Sequence, residues 1–373
     1  MMKLSGVLWM GVALAVMLPG SVRGQEAIDM NRARVLNQRD RRGEALTAEE
    51  RAYLDSAKAV RADQGRGQVA APARESTGVV PLTDLTGTYK GQSGGLYGGG
   101  KNEPPAEQLA RSLAAAGEVV PLDGTGKASP AGTIVLASIG MSNTTQEFSV
   151  FKRLADGDAA KNPKLVIVDG AQGAMDAAAW ANGPGADAVW NVMKQRLQSA
   201  GVTPAQVQVV WIKQALAQAG TQGDFPKHAE VLQADLVKAL GRAKKEFPNL
   251  RLAYLSSRTY GGYATGTLNP EPYAYEGAFA VRGVIEAQMK GAAAMNSDAA
   301  KGPVVAPVIL WGPYLWADGM KGRKGDALVW KREDFGPDGT HPSTAGREKV
   351  ARLLLDFLKT NQSAKGWFAA EAG

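Results

Sequence analysis

Beyond about residue 130 the chain alternates between two kinds of pattern. Short apolar, β-branched runs each predict a strand: TIVLASIG (133–140), KLVIVDG (164–170), QVQVVWI (206–212), LRLAYLSS (250–257) and PVVAPVILWG (303–312). Amphipathic segments between and after them predict helices at about 186–200, 227–247, 276–294 and 343–360. In the last helix Val350, Leu353, Leu354 and Phe357 share one face. Strands that are apolar along their whole length are buried on both sides. The pattern therefore predicts an α/β fold with a parallel sheet of about five strands covered by helices on each face. Ligands bind such open sheets beyond the carboxyl ends of the strands, so functional residues are expected there.

The N-terminal part reads differently. Residues 29–64 are dense in Arg, Asp, Glu and Ala and predict two short helices joined near Gly43. Thr47 with Glu50 forms a capping-box pattern, and Tyr53 and Leu54 give the second helix a thin apolar face. The Gly/Ala/Pro-rich stretch 65–78 reads as a linker, so 25–78 is expected as a charged helical segment. The main domain is expected to span 79–362, with 363–373 as a tail. At the start, Lys3 precedes an apolar run from Leu4 to Leu18, then Pro19, Gly20 and small residues. This order predicts an export signal over 1–24, cleaved near Gly24–Gln25, and hence a secreted or periplasmic protein. The run is shorter than the ~20 residues of a spanning helix, and no later segment predicts a stable membrane span.

Composition narrows the chemistry. The chain has no cysteine, so thiol catalysis and thiolate metal sites are excluded and the core must hold without disulfides. Its formal charge is +7, of which Lys3 and Arg23 in the leader supply two, leaving +5. The basic residues are scattered, which speaks against a nucleic-acid partner. Two histidines far apart make a catalytic zinc improbable, and no metal is expected. The stretch GLYGGGK (95–101) approaches a phosphate loop, but Asn102 stands where the Mg²⁺-binding Ser or Thr belongs, and no cofactor is expected.

Polar residues cluster where the predicted strands end. The first strand runs into Gly140-Met141-Ser142-Asn143 before a helix; Ser142 is either a nucleophile beside free backbone N–H groups or a helix cap. The second runs into Gly170 and Gly173, which let a ligand approach the backbone or simply form a turn. Lys213 and Gln214 stand at the end of the third. Just before the last helix, GPDGTHPSTAG places Asp338 three residues ahead of His341, a carboxylate that can fix the imidazole tautomer. The other histidine, His228, reads as a surface residue.

The order of these motifs over residues 130–360 resembles the SGNH hydrolase superfamily of GDSL-type esterases, in its sialate O-acetylesterase-like carbohydrate esterase branch. The resemblance implies a flavodoxin-like three-layer α/β/α sandwich. It makes Ser142 the nucleophile, His341 the general base and Asp338 the residue that orients it. Backbone N–H groups of Ser142 and Gly173 would form the oxyanion hole. This chain departs from the pattern twice. Met141 replaces the acidic residue before the serine. In the third block, Trp211-Ile212-Lys213-Gln214, Lys213 stands where the variant family has Gln and Gln214 is one residue off, so either is a candidate third oxyanion donor.

The expected function is an exported serine esterase acting on acyl, chiefly O-acetyl, esters of a glycan. A catalytically idle domain that binds surface polysaccharide, and a lipid or peptidoglycan esterase, are the alternatives. The loops after the fourth and fifth strands are rich in rings and polar groups suited to a sugar. From them, with Asn143, come the expected substrate contacts Arg258, Tyr260, Tyr273, Glu276, Trp311 and Tyr314.

Overall fold

The computed structural model describes residues 29, 32, 33, 35, 36, 45–66, 74–181 and 185–370. The expected export signal, its cleavage point and Gly43 lie outside the described residues. The chain divides into two units, residues 1–58 and 59–373.

Helix α1 (Ala48–Arg66), which starts in the first unit and runs past its boundary, begins at the predicted capping box. Thr47 Oγ1 accepts from the Glu50 N–H at 3.1 Å and Glu50 Oε2 accepts from the Thr47 N–H at 2.9 Å, so two N–H groups at the helix start have partners. The Tyr53 hydroxyl bridges back to the Asp29 backbone, and Leu54 and Ala57 are buried.

The second unit is built on a five-stranded parallel sheet. Its strands are β3 (Ile134–Gly140), β4 (Leu165–Val168), β5 (Val207–Lys213), β6 (Leu252–Ser256) and β7 (Val308–Trp311), in the order β4-β3-β5-β6-β7. Every residue of β3, β5, β6 and β7 is buried, as the continuous apolar runs require. A small antiparallel hairpin, β1 (Thr88–Tyr89) and β2 (Gln92–Ser93), precedes the sheet.

Helices flank the sheet in two groups. One comprises α2 (Ala106–Gly117), α3 (Ser142–Asp156), α8 (Thr344–Thr360) and α9 (Lys365–Phe368), with α3 packed along α8. Phe148, Phe151 and Ala155 on α3 and Val350, Leu354 and Leu358 on α8 are all buried. The other comprises α4 (Ala177–Trp180), α5 (Ala186–Ser199), α6 (Lys227–Glu246) and α7 (Tyr273–Met289). This is the flavodoxin-like strand order, whose direction reverses between β3 and β5; a crevice at their carboxyl ends is the expected ligand position.

Both ends of this unit are tied to its interior. The main chain of 76–78 is anchored on buried Asp318, whose carboxylate accepts from the hydroxyls of Ser76 and Thr77 and from the N–H groups of Thr77 and Gly78. At the other end Trp367 and Phe368 of α9 are buried. Of eight tryptophans, Trp9 lies outside the described residues and the other seven, Trp180, Trp190, Trp211, Trp311, Trp316, Trp330 and Trp367, are buried.

Candidate active site

Strand β3 ends at Gly140, and Ser142 opens α3 after the extended residue Met141. Gly140 is required at this junction, because a Cβ there would lie 2.4 Å from the Thr144 side chain. The tight turn leaves Ser142 partly exposed while Asn143 and Thr144 are buried.

The second loop is held from behind. Ser138 Oγ accepts the Gly170 and Ala171 N–H groups, each at 3.1 Å, and donates to Asp169. Arg196 donates to the Asp169 and Ala171 carbonyls at 2.8 and 2.7 Å. The Gln172 N–H donates to the Gly140 carbonyl at 3.0 Å. These contacts bring Gly173 beside Ser142: a Cβ on it would lie 4.0 Å from Ser142 Cβ.

The Asp338–His341 turn closes on itself. Gly336 N–H donates to the His341 carbonyl, and Gly339 sits at φ +65° with space for a Cβ blocked by the Tyr263 carbonyl at 1.7 Å. Only glycine meets both conditions. Asp338 Oδ1 accepts the Thr340 and His341 N–H groups at 3.0 Å each, and Asp338 Oδ2 lies 2.5 Å from His341 Nδ1. Desolvation works against this carboxylate's charge, but hydrogen bonds from the His341 ring and backbone and from Thr340 outweigh it and hold its pKa below the ordinary range. His341 Nε2 lies 2.7 Å from Ser142 Oγ. Ser142, His341 and Asp338, the last two separated from Ser142 by about two hundred residues of chain, thus form one continuous hydrogen-bonded line. With Asp338 Oδ2 accepting from Nδ1–H, the Nε2 lone pair faces the serine hydroxyl, the arrangement that lets the ring accept its proton.

The third block differs from expectation. Lys213 is fully buried, and its ammonium bonds both carboxylate oxygens of Glu147 on α3, at 2.7 and 2.6 Å. Burial lowers its pKa to about 8, against the pull of Glu147. An ammonium so held is not pointed at a neighbouring carbonyl. Gln214 is buried too; its Nε2 donates to the Met175 carbonyl at 3.3 Å and its Oε1, an acceptor, has no partner. Two of the three Lys213 N–H groups are thus spent on Glu147 and one of the two Gln214 amide N–H groups on Met175, and nothing in the sequence signalled that Glu147 would pair with Lys213.

The expected substrate contacts divide. Asn143 and Arg258 are buried close to these strand ends; Asn143 Nδ2 and Arg258 Nε have no hydrogen-bond partner. The other expected contacts are engaged in packing or in bonds elsewhere. Tyr260, Trp311 and Tyr314 are packing residues: Tyr260 and Trp311 donate to the Arg74 and Leu96 carbonyls, and the Tyr314 hydroxyl accepts the Leu82 N–H. Glu276 is buried in the first turn of α7, where Tyr89, Lys90 and His228 all bond its carboxylate. His228 is therefore buried, not at the surface, and Tyr273 packs edge-on against its ring. A bulky ring at a strand end stabilises more by burial than by waiting in solvent. A cleft of about 300 Å³ lined by α6, α7 and Gln92 of the hairpin involves none of the residues around Ser142. Among the described residues no cluster of His and acidic groups suits a metal ion, and no helix is long and apolar enough to cross a membrane.

No protein-family profile matches the chain, and no curated protein matches it. Among solved structures it is similar to YxiM of Bacillus subtilis, with 11% identity over 62% of this chain and 57% of that one and a TM-score of 0.32. It is also similar to BT4096, a gut microbial diltiazem-metabolizing enzyme, with 16% identity over 63% of this chain and 47% of that one and a TM-score of 0.31. The chain thus spans about half the length of each. At these TM-scores too little of the backbone course is shared for either description to carry over.

Proposed function

We propose that this chain is an exported serine esterase that removes acyl groups, chiefly acetyl, from a carbohydrate. One observation carries the reading: the line Ser142 Oγ, His341 Nε2, His341 Nδ1, Asp338 Oδ2, with end contacts of 2.7 and 2.5 Å, lies at the carboxyl edge of a parallel sheet. A domain that only binds polysaccharide has no use for such a line.

In the proposed reaction Ser142 Oγ attacks the ester carbonyl carbon while its proton passes to His341 Nε2. Asp338 holds the ring and offsets its positive charge. The carbonyl oxygen becomes an oxyanion facing the N–H groups of Ser142 and Gly173. The intermediate collapses, the C–O bond to the alcohol breaks, and His341 returns the proton to that alcohol. Water, activated by the same ring, then attacks the acyl-serine and releases the acid. The carbohydrate alcohol rests on the order of strand-end motifs alone, since Tyr260, Trp311 and Tyr314 are packed away. Lipid and peptidoglycan esters belong in the same assay.

Purified protein is expected to hydrolyse 4-nitrophenyl acetate and to release acetate from an O-acetylated oligosaccharide. Ser142→Ala is expected to abolish both. Undiminished turnover in that variant would overturn the mechanism.

A further inference from the structure

Acyl transfer puts a full negative charge on the former carbonyl oxygen, and two backbone N–H groups are a modest answer to it. At the end of β5, where a third donor is expected, the two candidates are largely committed: Lys213 spends two of its three N–H groups on Glu147, and Gln214 one of its two on a carbonyl.

One cation remains. Arg258 follows β6 by two residues and is 5% exposed. It makes no hydrogen bond and no ion pair with any described residue, and its buried Nε is without a partner. Burial lowers its pKa, and the carboxylates of Glu147, Glu271 and Asp338 oppose this through space only. An arginine stays protonated under such pressure. A buried, unpaired guanidinium is costly, so folds retain one where something negative arrives later.

The sheet register puts it within reach. Gly140, Lys213 and Ser256 form one row across β3, β5 and β6. The two ends of that row, Gly140 and Ser256, stand about 10 Å apart at two strand spacings, and Ser142 and Arg258 each follow them by two residues. A long arginine side chain covers most of such a gap.

We propose that Arg258 is the third oxyanion donor, replacing Lys213 and Gln214. This role rests on the proposed esterase activity. The planar guanidinium adds both charge and directed N–H groups where the tetrahedral oxygen forms.

Arg258→Gln and Arg258→Lys in the full chain test this on neutral 4-nitrophenyl acetate and anionic 4-acetoxybenzoate. In the glutamine variant kcat is expected to fall on the order of 10²–10³-fold on both esters, with KM little changed. Lysine is expected to recover part of the loss. The Tm of Arg258→Gln is expected to hold or rise, because an unpaired buried charge has gone. Wild-type kcat, a loss confined to KM for the anionic ester, or a loss that merely follows a fall in Tm would each overturn the assignment. If the wild type turns over no ester, the esterase reading fails by itself, and acetate binding still decides on Arg258. Acetate is expected to raise the Tm of the wild type and of Ser142→Ala but not of Arg258→Gln. Equal shifts in all three, or none, reject the role.

Discussion

Asp338 serves three neighbours with two oxygens: one takes the Thr340 and His341 backbone N–H groups, the other the His341 ring. Asp338→Asn keeps the size and loses the charge. Its amide tends to reverse the imidazole tautomer, so kcat on 4-nitrophenyl acetate is expected to fall about 10³–10⁴-fold. The charge also links stability to pH. The folded carboxyl titrates below its unfolded value, so its contribution is complete above the unfolded range, near pH 4, and is lost as pH falls through the folded value. Tm profiles of the wild type and Asp338→Asn should therefore separate at pH 6 and converge as the pH falls below the ordinary carboxylate range. The separation should be under about 1 kcal/mol, since the side chain is nearly half exposed. Ser142, Asp338 and His341 were legible in the sequence because each is a small polar group at a strand end or before a helix, where little else demands it. Lys213 reads differently in the structure: a lysine at a strand end looks free to donate into a site until the helix bearing its carboxylate is laid over it.

At the scale of elements, the Lys213–Glu147 pair clips β5 to α3, the helix that Ser142 opens. Lys213→Met leaves the Glu147 carboxylate buried and unpaired, and urea denaturation is expected to show a loss of about 3–5 kcal/mol. Lys213→Met with Glu147→Leu should regain most of it, within about 1–2 kcal/mol of the wild type. Esterase activity should return in the double variant as well. If kcat stays low there while stability recovers, Lys213 contributes to catalysis beyond holding Glu147, and the proposed replacement by Arg258 fails. The five strands were readable within a few residues because burial on both faces leaves a continuous apolar run. The exception is β7, which begins at Val308; the two prolines Pro303 and Pro307 keep the preceding residues out of the ladder. Helix α7 begins at Tyr273, right behind Pro272, three residues before its apolar pattern suggested. The hairpin β1–β2 and the four-residue helices α4 and α9 left too brief a periodic signal to read.

For the whole molecule, the anchoring of 76–78 on Asp318 has a cost if removed. A chain begun after Gly78 strips the buried carboxylate of four donors and is expected to melt several degrees below one begun at Arg74. Urea or thermal scans of the two decide it. Export predicts a mature protein whose first residue, by mass spectrometry of secreted material, is Gln25; retention of Met1 would count against it. The buried tryptophans then acquire an optical meaning. Once Trp9 leaves with the leader, every remaining indole is shielded in the folded chain. The mature protein should emit at short wavelength, resist quenching by acrylamide, and shift to the red only as the sheet itself opens. Intrinsic fluorescence would thus follow the integrity of the core and stay silent during events confined to the partly exposed Ser142–His341 rim.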